Sequence, residues 1–92
     1  MLTYRVKVRQ ITYVWGSERI ADDVDLPLYL HLRVDENGEE AGIVIREEDG
    51  ETKELGILKP GECFTVRLKG FVGLYARCSQ DTYLDCAILG PE

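Results

Sequence analysis

The chain has a single histidine, and this scarcity limits the chemistry that it can perform. A nucleophilic cysteine or serine needs a base that a third group orients, and a metal site usually needs three or four ligands. His31 could supply one such group only, and it falls on the polar face of a predicted strand. We therefore expect a non-enzymatic protein with no catalytic residue, no metal site and no cofactor, in which His31 is an exposed strand residue.

Long apolar runs are also missing. No stretch approaches the ~20 apolar residues of a membrane helix, and no charged and apolar leader opens the chain, since residues 1–6 already alternate as a strand does. The three cysteines are an odd number, which does not suit a closed disulfide framework. We expect synthesis in a reducing cytoplasm, no membrane contact and no export of the chain by itself.

The cysteines are interpreted as small core or half-buried residues. If Gln80-Asp81 forms a two-residue hairpin turn, Cys78 lies opposite Tyr83, and Cys86 is displaced along the hairpin beyond disulfide geometry. Cys63 faces away from the apolar side of its predicted strand, so it is the expected exception.

Negative charge dominates, but it is unevenly distributed. The net charge is −6: residues 1–17 carry three bases and no acid, residues 18–54 carry thirteen acids against four bases, and residues 55–92 balance. An acidic middle repels phosphate backbones, whereas nucleic-acid binders carry a basic patch, so we expect no nucleic-acid partner. The acids are typical of a solubilising surface.

Arg5, Lys7 and Arg9 share one face of the first predicted strand. Two interpretations stay open for them. They bind an acidic partner, or they form a solvated face that prevents an edge strand from pairing. The three residues are the first part of the predicted partner-binding set.

Residues 3–15 alternate like a strand that changes phase. The apolar residues fall at even positions before Gln10 and the larger ones at odd positions after it: Tyr4, Val6 and Val8, then Ile11, Tyr13 and Trp15. Because a period of two can change parity only at a bulge or bend, we predict one near Gln10, which gives one long bent strand or two strands.

The middle of the chain predicts a three-stranded meander over residues 26–58. Asn37-Gly38 and Asp49-Gly50 are hairpin signals, because both positions tolerate the positive φ of a type I′ turn. They separate strands at residues 28–34, 41–46 and 51–58. The first strand is expected to turn four apolar residues to the core: Leu28, Leu30, Leu32 and Val34.

The central strand of this meander is apolar at successive positions. Ile43, Val44 and Ile45 therefore predict either burial on both faces of a sheet or contact with another subunit. They complete the predicted partner-binding set.

The last third of the chain is predicted to form the structural core of the domain. Pro60-Gly61 forms a tight turn in which Pro presets φ and Gly supplies the left-handed position. Strands follow at residues 63–68, 72–78 and 83–89, and no segment shows a helical period. Seven or eight short strands indicate a single all-β domain over residues 1–92, an antiparallel β-sandwich or small barrel with no substantial helix.

Two groups of residues have an alternative chemical interpretation. Asp22, Asp23 and Asp25 crowd carboxylates in a predicted connection, but the glycine turn and later glutamate of a calcium loop are missing. Tyr13 and Trp15 share a predicted face and could stack on a sugar. We favour packing or a protein interface for these aromatics, because about half of the aromatics of a small β-domain fill its core.

The C-terminal third contains three segments in a characteristic order: Leu58-Lys59-Pro60-Gly61-Glu62-Cys63-Phe64-Thr65-Val66, Gly70-Phe71-Val72-Gly73-Leu74-Tyr75-Ala76 and Asp85-Cys86-Ala87-Ile88-Leu89. This turn, glycine-spaced strand and final strand resemble those of small all-β accessory proteins of tailed-bacteriophage virions. A similar turn and strand occurs in immunoglobulin-like sandwiches. Neither resemblance carries catalytic residues. The first implies a structural role that acts through surfaces, commonly in an oligomer.

We therefore expect a capsid-decorating, head-fibre-base or tail-associated protein of a phage virion. It would be made in the host cytoplasm, contact capsid or tail proteins and form a homo-oligomer. The alternative is a small acidic binding domain, either a host-enzyme inhibitor or an immunoglobulin-like or carbohydrate-binding module. Two acidic turns motivate the inhibitor: Asp35, Glu36, Glu39 and Glu40, then Glu47, Glu48, Asp49 and Glu51.

Overall fold

The computed structural model describes residues 2–16 and 29–90. These residues form eight β-strands and no helix. The strands are β1 (Leu2–Val8), β2 (Ile11–Gly16), β3 (Tyr29–Val34), β4 (Ala41–Arg46), β5 (Thr52–Leu58), β6 (Cys63–Arg67), β7 (Gly73–Arg77) and β8 (Thr82–Leu89). The predicted all-β class is confirmed, and from β3 onward each observed strand end lies within one residue of its prediction.

The strands form two four-stranded sheets in which every neighbouring pair is antiparallel. Sheet A has the order β1-β8-β3-β6, and sheet B has the order β2-β7-β4-β5. The inner faces of the two sheets share one hydrophobic core. The fold is therefore the sandwich, and not the barrel, of the two predicted architectures.

The core follows from the alternation of the strands. Leu30, Leu32 and Val34 point inward from β3 and are fully buried, as predicted, whereas Leu28 lies outside the described residues. Burial of one such side chain contributes about 1.5–3 kcal/mol. The other buried apolar residues are Val8, Val14, Trp15, Ala41, Ile43, Ile45, Phe71, Leu74, Ala76, Leu84 and Cys86.

The predicted change of phase near Gln10 is the place where the chain leaves sheet A for sheet B. Gln10 has a positive φ of 50°, and its carbonyl oxygen accepts a 2.8 Å hydrogen bond from the N–H of Cys78. The hydroxyl of Thr12 bonds both the N–H and the carbonyl of Arg9. The break therefore produces two strands in different sheets, one of the two predicted outcomes.

A β-bulge changes the faces of β2. Tyr13 pairs with Tyr75, but Val14 is skipped before the next pair, which is that of Trp15. Val14 and Trp15 are both buried as a result, and the ring of Tyr13 meets Tyr75 edge-on at a centroid distance of 5.8 Å. The predicted common face of Ile11, Tyr13 and Trp15 is wrong, because the bulge reverses the alternation after Tyr13.

The predicted meander over residues 26–58 is also wrong, because β3 and β4 belong to different sheets. Only β4 and β5 form a hairpin, around Asp49-Gly50, where Gly50 has a φ of 89°. Strand β3 pairs instead with β8 and β6. Residues 35–40 carry the chain from β3 across to sheet B.

Gly38 is required here by a close approach and not by a positive φ. An added Cβ would collide with Oγ1 of Thr82, and this oxygen accepts a 2.9 Å hydrogen bond from the N–H of Glu39. The N–H of Asp35 donates to the carbonyl of Tyr83 at 3.0 Å. These contacts hold the crossing segment against the start of β8.

Pro60-Gly61 forms the predicted tight turn, and it also carries the chain between sheets. Gly61 has a φ of 84°, and the N–H of Glu62 donates to the carbonyl of Lys59 at 2.9 Å. The N–H of Gly61 donates to the carbonyl of Val34 at 2.8 Å, which attaches the turn to the end of β3.

The predicted hairpin around Gln80-Asp81 does not form. Strand β7 lies in sheet B, whereas β8 lies in sheet A between β1 and β3. Cys86 therefore pairs with Tyr4 and Leu32, and not with Tyr75. No disulfide joins the three cysteines, all of which lie within the described residues, although the register that led to this expectation is wrong.

We predict that Gly38→Ala lowers the free energy of unfolding by about 1–3 kcal/mol, because the new methyl group overpacks against Thr82. Chemical denaturation of the wild type, the two single variants and Gly38→Ala/Thr82→Ala gives the coupling between the sites. In the Thr82→Ala background, Gly38→Ala should lower the free energy of unfolding by at least about 1 kcal/mol less than it does in the wild type. Additive costs would contradict the proposed collision.

Gly42→Ala is the matched control for this cycle. The added Cβ would meet its nearest atoms at 3.7 Å and beyond, which is ordinary van der Waals contact. We expect a change in unfolding free energy below about 1 kcal/mol.

Candidate interaction surfaces

The predicted contact residues Ile43, Val44 and Ile45 lie on two sides of sheet B. Ile43 and Ile45 point into the core with 1% and 9% of their surface exposed, because β4 is a central strand between β7 and β5. Their predicted subunit contact is corrected to core packing. Val44 alone lies on the outer face, half-buried and paired with Tyr75.

Arg5 lies on the outer face of sheet A, where β1 is an edge strand. Its Nη2 is 3.0 Å from Oδ2 of Asp35, and its Nε is 3.1 Å from Oδ1 of Asp85. The guanidinium carbon is 4.6 Å from the ring centroid of Tyr83. Exposed pairs of this kind contribute about 0–1 kcal/mol each. Because its charge is already balanced within the chain, the structure favours the solvated-edge interpretation for Arg5.

The other two basic residues lie near Arg5 but do not form one patch with Val44. Lys7 is exposed in β1, and Nε of Arg9 lies 3.9 Å from Oδ2 of Asp81, beyond the end of that strand. Arg5 and Lys7 belong to sheet A and Val44 to sheet B. The predicted partner-binding residues are therefore on opposite outer faces of the sandwich or in its core.

The two acidic turns are separated by the length of β4. Residues 35–40 precede that strand and residues 47–51 follow it, and six strand residues span roughly 20 Å. In the first turn Asp35 pairs with Arg5, and Glu36 pairs with Arg33. The turns therefore present separate surfaces and do not combine into one acidic patch.

The outer face of sheet B carries the two most exposed large apolar residues of the described chain. Ile11 is 69% exposed and Ile57 is 55% exposed. The register places them in one transverse row, with Ile11 beside Arg77, then Gly42, then Ile57. Because Gly42 has no side chain, the row contains a shallow depression of about 290 Å³ between Arg77 and Ile57.

The neighbouring row on this face is aromatic and apolar. It runs from Tyr13 through Tyr75 and Val44 to Glu54. Arg77 crosses over Gly42 to reach Glu54, with Nη2 at 2.6 Å from Oε2. The outer face of sheet B thus combines a band of apolar groups with one ion pair that crosses over Gly42.

The remaining aromatics do not form a free stacking platform. Trp15 is in the core, where it meets Phe71 edge-on at 5.5 Å between centroids. Arg5 covers one side of the Tyr83 ring. Tyr29 is 39% exposed on the outer face of sheet A. The predicted sugar-binding pair of Tyr13 and Trp15 is therefore divided between the outer face and the core.

His31 and the cysteines occupy the positions that alternation predicts. His31 is half-buried on the outer face of sheet A, and its Nδ1 lies 2.9 Å from Oγ1 of Thr65. Cys63 is exposed, Cys78 is half-buried with its thiol donating to the carbonyl of Val8 at 3.3 Å, and Cys86 is buried.

Within residues 2–16 and 29–90, no group of three or more His, Cys, Asp or Glu side chains could hold a metal ion. Asp22, Asp23 and Asp25 lie outside the described residues. No helix in the described part of the chain is long and apolar enough to cross a bilayer.

The sequence pattern does not reveal the exposed pair Ile11 and Ile57. Alternation groups Ile11 with Trp15, which is buried. In β5 the register skips Leu55. Leu55 and Ile57 are two residues apart, which in a regular strand would place them on one face, but the skipped residue places them on different faces. Both residues could be placed only after the two bulges were known.

No family model matches the chain, and no curated protein matches it. Among solved structures, the chain is similar to part of Pseudomonas aeruginosa AlgX, with a TM-score of 0.62 and 15% identity. The alignment covers 98% of this chain and 26% of AlgX, so the chain spans about a quarter of the length of that protein. At this level of identity the likeness shows the fold alone.

Thermus thermophilus catabolite activator protein is a weaker match. It aligns with a TM-score of 0.46 and 22% identity over 91% of this chain and 37% of its own. That alignment is too loose to indicate a shared fold.

We predict that a chromogenic thiol reagent modifies Cys63 rapidly in the native protein and the other two cysteines only after unfolding, because thiol reactivity follows exposure. Cys63→Ser should abolish the fast native reaction and leave the slow one unchanged. Fast modification of all three thiols in the native wild type would contradict the burial of Cys78 and Cys86.

Proposed function

We propose that the chain is a non-enzymatic structural or accessory module that acts through protein–protein contacts, and that the outer face of sheet B docks it on a larger partner. The observation that supports this proposal is the exposed pair Ile11 and Ile57 in one row of this face, beside the row of Tyr13, Tyr75 and Val44. Single exposed apolar residues are common on soluble proteins, whereas a continuous apolar band is typical of an interaction surface.

The assembly implied by the C-terminal resemblance is a tailed-phage virion, and the partner would be a capsid or tail protein. The eight-stranded sandwich suits such a role, because the outer faces of its two sheets are available for contact with a partner. Arg5 of β1 and Arg9, which follows that strand, add no independent support, since acids of the same chain engage both.

The size of the face indicates how such a module would bind. Four strands spaced by about 4.8 Å and six residues long cover roughly 400 Å². A standard interface buries about 800 Å² per partner. We therefore expect weak binding of one isolated copy and strong binding where many copies meet a repeating partner surface, as multivalency predicts.

The partner surface can be specified from the charges on this face. Arg77 and Glu54 form an ion pair beside the apolar band. Arg46, two residues after Val44 on β4, is exposed on the same face. A partner that fits is apolar at its centre and carries charges of both signs at its rim, since rim charges set orientation more than affinity.

An acidic binding domain stays the second candidate, and the turn between β4 and β5 is the stronger of its two acidic turns, because Asp35 and Glu36 of the other turn already form ion pairs. Glu47, Glu48, Asp49 and Glu51 make no ion pair with any described residue. A basic cleft of a partner enzyme could take up this hairpin tip. Reversing two of these charges would abolish such binding and leave contacts of the sheet B face intact.

We predict that the protein co-sediments with purified phage particles of its source that lack it, and that Ile57→Lys reduces the bound fraction at least about tenfold, because a charge at the centre of an apolar interface is costly. Circular dichroism should show an unchanged fold, since Ile57 is exposed. Tyr29→Lys, which alters an exposed aromatic on the opposite sheet, is the matched control and should bind like the wild type.

Two outcomes would contradict the proposal in different ways. Failure of the wild type to bind any particle would overturn the virion role. Binding that survives Ile57→Lys and Ile11→Lys unchanged would overturn the assignment of the outer face of sheet B.

A further inference from the structure

The four edge strands of the sandwich are not equally protected against pairing with another chain. β1 carries Arg5 and Lys7, β2 is interrupted by the bulge at Val14, and β5 is interrupted at Leu55. Charges and bulges are the usual means by which edge strands avoid association. β6 has neither a bulge nor a break, and its register with β3 is continuous from Cys63 to Arg67.

An apolar slot opens next to this strand. It lies between the edges of the two sheets, has a volume of about 200 Å³ and is lined by Ile43, Leu55, Gly56, Ile57, Leu58 and Phe64. Phe64 and Val66 point from β6 toward the core but are only partly buried. On the side away from β3, β6 therefore has no strand partner among the described residues. Two of its side chains, Phe64 and Val66, are also incompletely covered.

We propose that β6 pairs with β6 of a second copy across a two-fold axis, so that the two copies of sheet A form one eight-stranded antiparallel sheet. The symmetric arrangement that pairs all five residues of the strand places Thr65 on the axis. Thr65 of one copy then faces Thr65 of the other, Cys63 faces Arg67, and Phe64 faces Val66. The paired edge belongs to sheet A and the docking face to sheet B, although Ile57 lines both the slot and that face. The inference does not rest on the proposed docking.

The strand is complementary to itself in this arrangement. An isologous contact requires that each residue suit its symmetric counterpart. Arg67 meets Cys63, so no charged side chain of the strand opposes one of the same sign. Threonine pairs and pairs of large apolar residues are favourable across antiparallel strands, at about 0.2–1 kcal/mol each.

The interior side of the new strand pair also gains cover. Phe64 and Val66 of one copy would pack against Val66 and Phe64 of the other at the mouth of the slot. On the outer side, the hydrogen bond between His31 and Thr65 fixes the Thr65 side chain. The same two-fold strand pairing is unfavourable for β1, because an axis at its central residue would place the positive charges of two Arg5 side chains opposite each other.

The contact is small, so the dimer should be weak in dilute solution. Five residue pairs bury less than the roughly 800 Å² per partner of a standard interface. We expect dissociation in the micromolar range or weaker, and little dependence on salt, because backbone hydrogen bonds and apolar contacts form the interface.

Sedimentation velocity across a range of protein concentrations tests the dimer. Thr65→Lys should remove it by opposing two lysines on the axis, while circular dichroism stays unchanged because Thr65 is exposed. Thr3→Lys is the matched control: Thr3 is exposed in the same transverse row, at the far edge of the sheet. The control should dimerise like the wild type.

Disulfide trapping tests the register. In a Cys63→Ser background, Thr65→Cys should form a disulfide-linked dimer under mild oxidation, because residues that face each other across strands approach within disulfide range. Arg67→Cys in the same background should not, since the two 67 positions lie at opposite ends of the paired strands. Thr3→Cys measures the rate of collisional oxidation.

The proposal would be overturned if the wild-type protein stayed monomeric up to about 1 mM. At that concentration a millimolar dissociation constant would be detected. Equal yields of disulfide-linked dimer from the cysteines at positions 65, 67 and 3 would contradict the proposed register. Particle binding lost in Ile57→Lys but retained in Thr65→Lys separates the docking face from this dimer contact.

Discussion

Strand β8 holds the sandwich together, because it lies between β1 and β3 and so joins the two ends of the chain in one sheet. Leu2 pairs with Ile88, and Thr82 at the start of β8 accepts the hydrogen bond that holds residues 35–40 over the end of the fold. Until β8 is placed, β1 has no neighbour in sheet A among the described strands. Pairings over such sequence distances are slow to form, since loop closure precedes their stabilisation. We therefore expect folding to depend on the last strand of the chain.

The same constraint explains where the candidate surfaces lie. Of the connections that the structure describes, only that between β4 and β5 is a hairpin, and every other one passes from one sheet to the other. Consecutive strands therefore face each other across the core. Residues that are close in sequence end on opposite faces of the molecule, as Arg5 of sheet A and Ile11 of sheet B show. The outer face of sheet B is instead assembled from residues 11–13, 42–44, 54–57 and 75–77.

Prediction from the sequence succeeded where a property is local. Strand positions, the left-handed glycines Gly50 and Gly61, and the inward row of Leu30, Leu32 and Val34 follow from alternation and backbone preference, which need no distant partner. It failed at Trp15, where a single skipped residue reverses the alternation. It also failed for Ile43 and Ile45, because an apolar run fits a buried central strand and a subunit contact equally well. The exposed isoleucines depend on both bulges, so no local signal indicates them.

The sequence by itself determined that this is an all-β domain with turns at the places where glycine and proline allow them, and it placed Cys63 and His31 on polar faces. The tertiary structure alone decided which strands pair. The physical reason is that the hydrogen bonds of a sheet join backbone groups that are the same in every residue, so a strand's sequence specifies its faces but not its neighbour. Neighbours are chosen by the packing of both sheets around one core. That choice places Ile11 beside Arg77 and β6 at an edge of sheet A.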